Sequence, residues 1–140
     1  MERSRWPGMV RQLMAKTVLV VDDSASTRQT VTFVLGRSGY SVVAAIDGID
    51  ALRKIAEEPI DLIVTEVNMP NLSGVDFVEE VRKSEGCVDI PVIVLTIEND
   101  QKVRKRMKQL DCADWLEKPL KTESLLSSVE SALANSGGKH

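Results

Sequence analysis

Four places in the chain carry side chains whose types could act together: Asp22 with Asp23, Glu66, Thr96 and Lys118. Each lies at the end of a short strand-like run, the first three apolar and rich in β-branched residues: 17–21 before the acidic pair, 62–64 before Glu66, 91–95 before Thr96, and the more mixed 113–117 before Lys118. Three carboxylates in one place resist ionisation unless a cation sits among them. Hard oxygen donors without His or Cys suit Mg2+, which keeps waters and prefers a phosphoryl co-ligand. Lys118 would then meet an anion as a point charge, and Thr96 as a hydrogen-bond donor. The only histidine is His140, the last residue, which argues against a His-based dyad and a His-ligated zinc site.

These groups meet only if the elements between them bring the run ends together. After the acidic pair, Ser24 or Ser26 can cap a helix with Val31, Val34 and Leu35 on its inner face, ended by Gly39 in a left-handed cap. A second strand, 41–45, turns at Asp47-Gly48 into a helix carrying Ala51, Leu52, Ile55 and Ala56, which Pro59 stops. A helix from about Gly74 turns Phe77, Val78 and Val81 inward and closes with Arg82, Lys83 and Gly86, the charges its carbonyl end favours. Residues 100–110 carry a thin apolar stripe of Val103, Met107 and Leu110. Thr122 caps a last helix with Leu125, Leu126, Val129 and Leu133 in register. Five strands alternating with five helices predict an α/β, doubly wound, five-stranded parallel sheet of order 2-1-3-4-5. Helices cover both faces, as in flavodoxin-like folds. All strand carboxyl ends then share one edge, so Asp22, Asp23, Glu66, Thr96 and Lys118 converge there.

At 140 residues the chain is one domain with enough core to need no staples. A net charge of -3 argues against a dedicated nucleic-acid partner, and no apolar run is long enough to cross a membrane. Cys87 and Cys112 give neither a disulfide framework nor metal-ligand spacing, so they are expected to be reduced, packed thiols of a cytoplasmic protein. Residues 1–16 are basic and aperiodic and are expected to be a flexible extension. The folded domain is expected over 17–135, with 136–140 a disordered tail.

Four segments in this order resemble the receiver domain of two-component response regulators, most closely the single-domain chemotaxis type: VLVVDDS at 18–24, VNMPNLSG at 67–74, VLT at 94–96 and WLEKP at 115–119. The resemblance implies that Asp23 directly, and Asp22 partly through water, hold Mg2+. The backbone carbonyl of Asn68 and the residue at position 66 complete that set. It implies that Thr96 moves to the phosphoryl group, Lys118 pairs with it, and Trp115 is the switch aromatic that turns inward as Thr96 moves. It also implies a cis Lys118–Pro119 bond, a histidine kinase as one partner, and an output surface on the fourth helix, fifth strand and fifth helix. The fourth helix carries Lys102, Arg104, Lys105, Arg106 and Lys108. Lys102, Lys105, Arg106 and Trp115 are expected to form a partner surface that selects an acidic protein.

The departure from the family is Glu66, where the resemblance implies a phosphoacceptor aspartate. Glutamate is longer by one C–C bond, roughly 1.5 Å, and in-line transfer depends on where the acceptor oxygen stands. Three readings follow: Glu66 imitates the phosphorylated aspartate, the domain docks independently of phosphorylation, or Glu66 is phosphorylated slowly. A Mg2+-dependent small phosphohydrolase of the same fold is the alternative from a different class. It would require a substrate pocket and a second acid/base. Asp111 stands where the family has glycine, and aspartate tolerates the left-handed backbone that glycine would supply there.

Overall fold

The computed structural model describes residues 15–137. Five strands, β1 (Thr17–Val21), β2 (Ser41–Ala45), β3 (Leu62–Thr65), β4 (Val92–Thr96) and β5 (Asp114–Glu117), alternate with five helices. These are α1 (Ala25–Arg37), α2 (Gly48–Glu57), α3 (Gly74–Lys83), α4 (Gln101–Gln109) and α5 (Thr122–Gly137). All pairings are parallel and the order is β2-β1-β3-β4-β5, as the alternation predicts.

The period-2 alternation of the central strands builds two cores from one sheet. Val18 and Val20 of β1, Leu62 and Val64 of β3, and Ile93 and Leu95 of β4 face α1 and α5, where Val31, Leu35, Leu125 and Val129 meet them. Leu19, Val21, Ile63, Val92 and Val94 face the other way, against Ala51, Phe77, Val78, Val81 and Met107 of α2, α3 and α4. The edge strands β2 and β5 are only partly covered, and their side chains are correspondingly mixed.

Boundaries move where a particular hydrogen bond decides them. Ser24 rather than Ser26 caps α1, accepting from the Thr27 N–H. Pro91 has no N–H for the ladder, so β4 begins at Val92, while the Pro91 carbonyl accepts from the Ile63 N–H at 3.0 Å. Gly39 and Asp111 take the expected left-handed backbone, with φ of 96° and 64°. The helix α5 runs through Ser136 to Gly137, two residues past the expected domain end at 135. Its inward residues, Leu125, Val129 and Ala132, hold the helix against the sheet almost to that end. The expected flexible extension lies outside the described residues except for Ala15 and Lys16, as does the tail beyond Gly137.

Arg82 does more than complement the end of α3. Its guanidinium donates to the carbonyls of Leu110 at 2.8 Å, Ile90 at 2.6 Å and Val88 at 3.2 Å, tying the α3–β4 connection to the end of α4. Arg82→Met keeps the apolar stem but leaves these carbonyls without the charged donor. A loss of about 2 kcal/mol is expected, read as a lowered urea midpoint at an unchanged m-value. A midpoint equal to wild type would refute the staple.

Candidate functional site

Backbone pairing carries three functional residues one step beyond their strands. The Asp22 N–H donates to the Ala45 carbonyl at 3.2 Å, the Glu66 N–H to Val21 at 2.9 Å and the Lys118 N–H to Thr96 at 3.0 Å. Asp22, Glu66 and Lys118 therefore stand at the carboxyl edge, beside Thr96, the last residue of β4. Asp22, Glu66 and Thr96 are buried and Asp23 is exposed.

The two oxygens of Glu66 have divided tasks. Oε1 accepts from Lys118 Nζ at 2.8 Å, and the same ammonium lies 2.9 Å from Asp22 Oδ2. Oε2 accepts from the Thr96 hydroxyl and from the N–H of Val67 at 2.7 Å and of Asn68 at 3.3 Å. Asp22 Oδ1 takes the Ser24 N–H at 2.8 Å. Burial pushes the Asp22 carboxyl above its ordinary range, against the Ser24 N–H and the Lys118 ammonium, which favour its charged form. Burial pulls the other way on Lys118, but its hydrogen bonds to Glu66 and Asp22 outweigh that and hold it above an ordinary lysine.

The loops around this cluster are fixed by residues that carry no chemistry themselves. Gly74 begins α3 directly against the end of β3, and a Cβ there would stand 2.2 Å from the Glu66 carbonyl oxygen. Asn71, at φ 70°, donates its amide to Asp47 Oδ2 at 2.7 Å, closing the β3–α3 loop onto the start of α2. The Asp50 N–H and that amide hold the Asp47 carboxyl below its usual range. Glu98 Oε1 accepts from the Asn68 amide at 3.1 Å, and the Glu98 N–H donates to the Thr96 hydroxyl oxygen at 3.0 Å. Asp47 and Glu98 escaped the sequence reading as site-shaping residues. Asp47 had a signal, a carboxylate before Gly48 at a helix start, whereas Glu98 reads as one loop acid among several.

The residues expected to bind a divalent cation share this edge but are not arranged as a metal set. Asp22 and Glu66 are bridged by an ammonium, and each of their oxygens already accepts a donor. The Asn68 N–H serves Glu66, and among the described residues no three His, Cys, Asp or Glu are placed to hold an ion. The expected shell of Asp22, Asp23, Glu66 and the Asn68 carbonyl therefore shares its edge with the Lys118 ammonium. Mg2+ keeps several waters and binds through one or two carboxylates, and Asp22 with the exposed Asp23 are the carboxylates that would hold it at this edge.

The residues expected on the partner surface are all at least partly exposed. Lys102 and Lys105 are exposed on α4, and Trp115 is half-buried on β5. Arg106 is exposed on α4 as well and pairs with α3, where its two nitrogens donate to Glu79 Oε2 at 3.0 and 2.6 Å. Cys87 and Cys112 are unbridged and partly buried. Burial pushes the Cys112 thiol up to about 11, which leaves it a packing group.

An acidic pair, a hydroxyl and a lysine at the carboxyl ends of a 2-1-3-4-5 sheet define a receiver-type α/β signalling domain. The family model for the response regulator receiver domain matches residues 18–130, and the chain belongs to that family. It is 37% identical to chemotaxis protein CheY4 of Vibrio cholerae, with a TM-score of 0.81 over 85% of this chain and 99% of that one. It is 31% identical over 120 residues to the phosphate regulon transcriptional regulatory protein PhoB of Escherichia coli, covering 86% of this chain and 52% of PhoB. The hybrid signal transduction histidine kinase D of Dictyostelium discoideum is 35% identical over 112 residues, 80% of this chain and 7% of that protein. The chain thus spans about half, or far less, of the length of these curated relatives. Receiver domains act in two-component signalling. In general they are signalling modules rather than enzymes, bind Mg2+ at the acceptor edge and interact with histidine kinases and other proteins. No helix among the described residues is long and apolar enough to cross a membrane.

Proposed function

We propose that this receiver signals by protein contact without needing phosphoryl transfer, because Glu66 supplies in its own side chain the anionic contacts that a phosphorylated aspartate would make. One observation carries the reading: a single carboxylate holds Lys118 through one oxygen and Thr96 through the other. Lys118 also pairs with Asp22, so the closed cluster has one cation of its own, shared by two carboxylates, and Mg2+ is not required to hold it together. A histidine kinase would dock here without an acceptor to load. Output runs through α4, β5 and α5 to an acidic protein partner, in the cytoplasm, with no role for nucleic acid or membrane. Lys102, Lys105, Arg106 and Trp115 present that face, with Arg106 also paired to Glu79 of α3. The phosphohydrolase alternative gains nothing from this geometry, since the Glu66 oxygens turn to the chain's own hydroxyl, ammonium and amides.

Glu66→Ala tests the reading. Removing the carboxylate releases Thr96 and Lys118, and amide chemical shifts in β4, the β4–α4 loop and β5 should move while α1 and β2 stay in place. A small phosphodonor added to wild type should move none of them. Spectra of Glu66→Ala that match wild type across β4 and β5 would sink the proposal.

A further inference from the structure

Trp115 stands between two cavities. One, of about 370 Å3, is bounded by Leu95, Leu116, Lys118, Pro119 and Leu120, and the other, of about 220 Å3, by Met107, Lys108, Cys112 and Asp114. Arg104 and Trp115 line both, so together they form the wall between them. The Arg104 guanidinium carbon lies 5.2 Å from the Trp115 ring centroid, within cation–π range. Among the described residues Arg104 has no carboxylate within ion-pair distance, so this charge is not shared with an acid. The helix that carries it is braced at two points, by Arg106 on Glu79 and by Arg82 on the Leu110 carbonyl. The guanidinium is therefore presented from a braced helix, while the half-buried indole has open space on either side.

We infer that Arg104 is the positioning residue for Trp115: its cation over the indole face holds the ring between the two cavities and so sets the shape of the output surface. The inference rests on the reading that Glu66 has settled the acceptor site, which leaves the Arg104–Trp115 contact as the adjustable element of this face. Lys118 lines the larger cavity and also binds Glu66, so the indole stands next to the cluster without belonging to it. A contact of this kind biases a two-position equilibrium by about two- to fivefold.

The experiment uses the full chain with Trp6→Phe, so that Trp115 is the sole indole. Arg104→Met keeps a long apolar stem and removes the cation, and Arg104→Lys keeps a cation without the planar face. Arg104→Met should shift Trp115 emission to the red and raise its acrylamide quenching, with Arg104→Lys in between and all three urea midpoints alike. Wild-type emission and quenching in Arg104→Met would overturn the inference. Arg104→Lys indistinguishable from Arg104→Met would overturn the role of the cation. A phosphodonor that shifts Trp115 emission in the Trp6→Phe protein would count against the function proposed above, and it leaves the comparison of Arg104 variants intact.

Discussion

Glu66→Asp is expected to turn an inert position into a phosphoryl acceptor, labelled by a small phosphodonor with Mg2+ at least about 100-fold faster than wild type. The longer side chain puts its oxygens on Lys118 Nζ and the Thr96 hydroxyl, where they are held as acceptors and cannot attack. Shortening it by about 1.5 Å withdraws the carboxylate from both and opens room between acceptor, ammonium and hydroxyl. A phosphoryl group has the charge and acceptor oxygens to fill that room. Intact-mass measurement over time checks the rate, and Trp115 fluorescence checks whether labelling reaches β5. Equal labelling of the two proteins would overturn the idea that the extra methylene disables transfer.

Lys118→Met should cost about 3 kcal/mol at neutral pH, because it leaves the buried carboxylates of Asp22 and Glu66 facing one another without their shared cation. The pH dependence follows from Asp22, whose folded-state pKa is already raised by burial. A raised carboxyl binds its proton more readily in the folded state, so stability increases as pH falls toward the unfolded value and decreases as pH rises through the folded one. Removing Lys118 takes away two influences that lower this pKa, its hydrogen bond and its charge, and steepens the dependence. Urea midpoints of wild type and Lys118→Met should therefore converge from pH 7 to about pH 5. A deficit that stays constant over that range would mean that Lys118 acts by packing rather than by charge.

The central strands were legible because β-branched runs bounded by turn residues leave few alternatives, and their order follows from short parallel crossovers. The members of the site were legible for the same reason: strand ends are easily located, and the topology decides which edge they share. What each carboxylate does there was not legible. Residue types alone favour a metal among Asp22, Asp23 and Glu66, whereas the reach of one glutamate rotamer puts an ammonium between two of them. Arg106 shows the same limit on the surface, since its helix pattern gives a charge but not the Glu79 that waits 27 residues away. The role of Arg82 has no side-chain signature at all, because its acceptors are backbone carbonyls in two separate connections.

The close approach of Gly74 to the Glu66 carbonyl has a consequence for how this site could be retuned. With α3 seated against the end of β3, and the Glu66 N–H held by Val21, the backbone at position 66 is a fixed mount. It cannot slide to absorb a longer or shorter side chain. Reach is then adjustable only in whole carbon–carbon steps, like a rod cut to one of two lengths in an immovable socket. Aspartate and glutamate are the two settings that keep the charge, and a single codon change moves between them while the socket stays as it is.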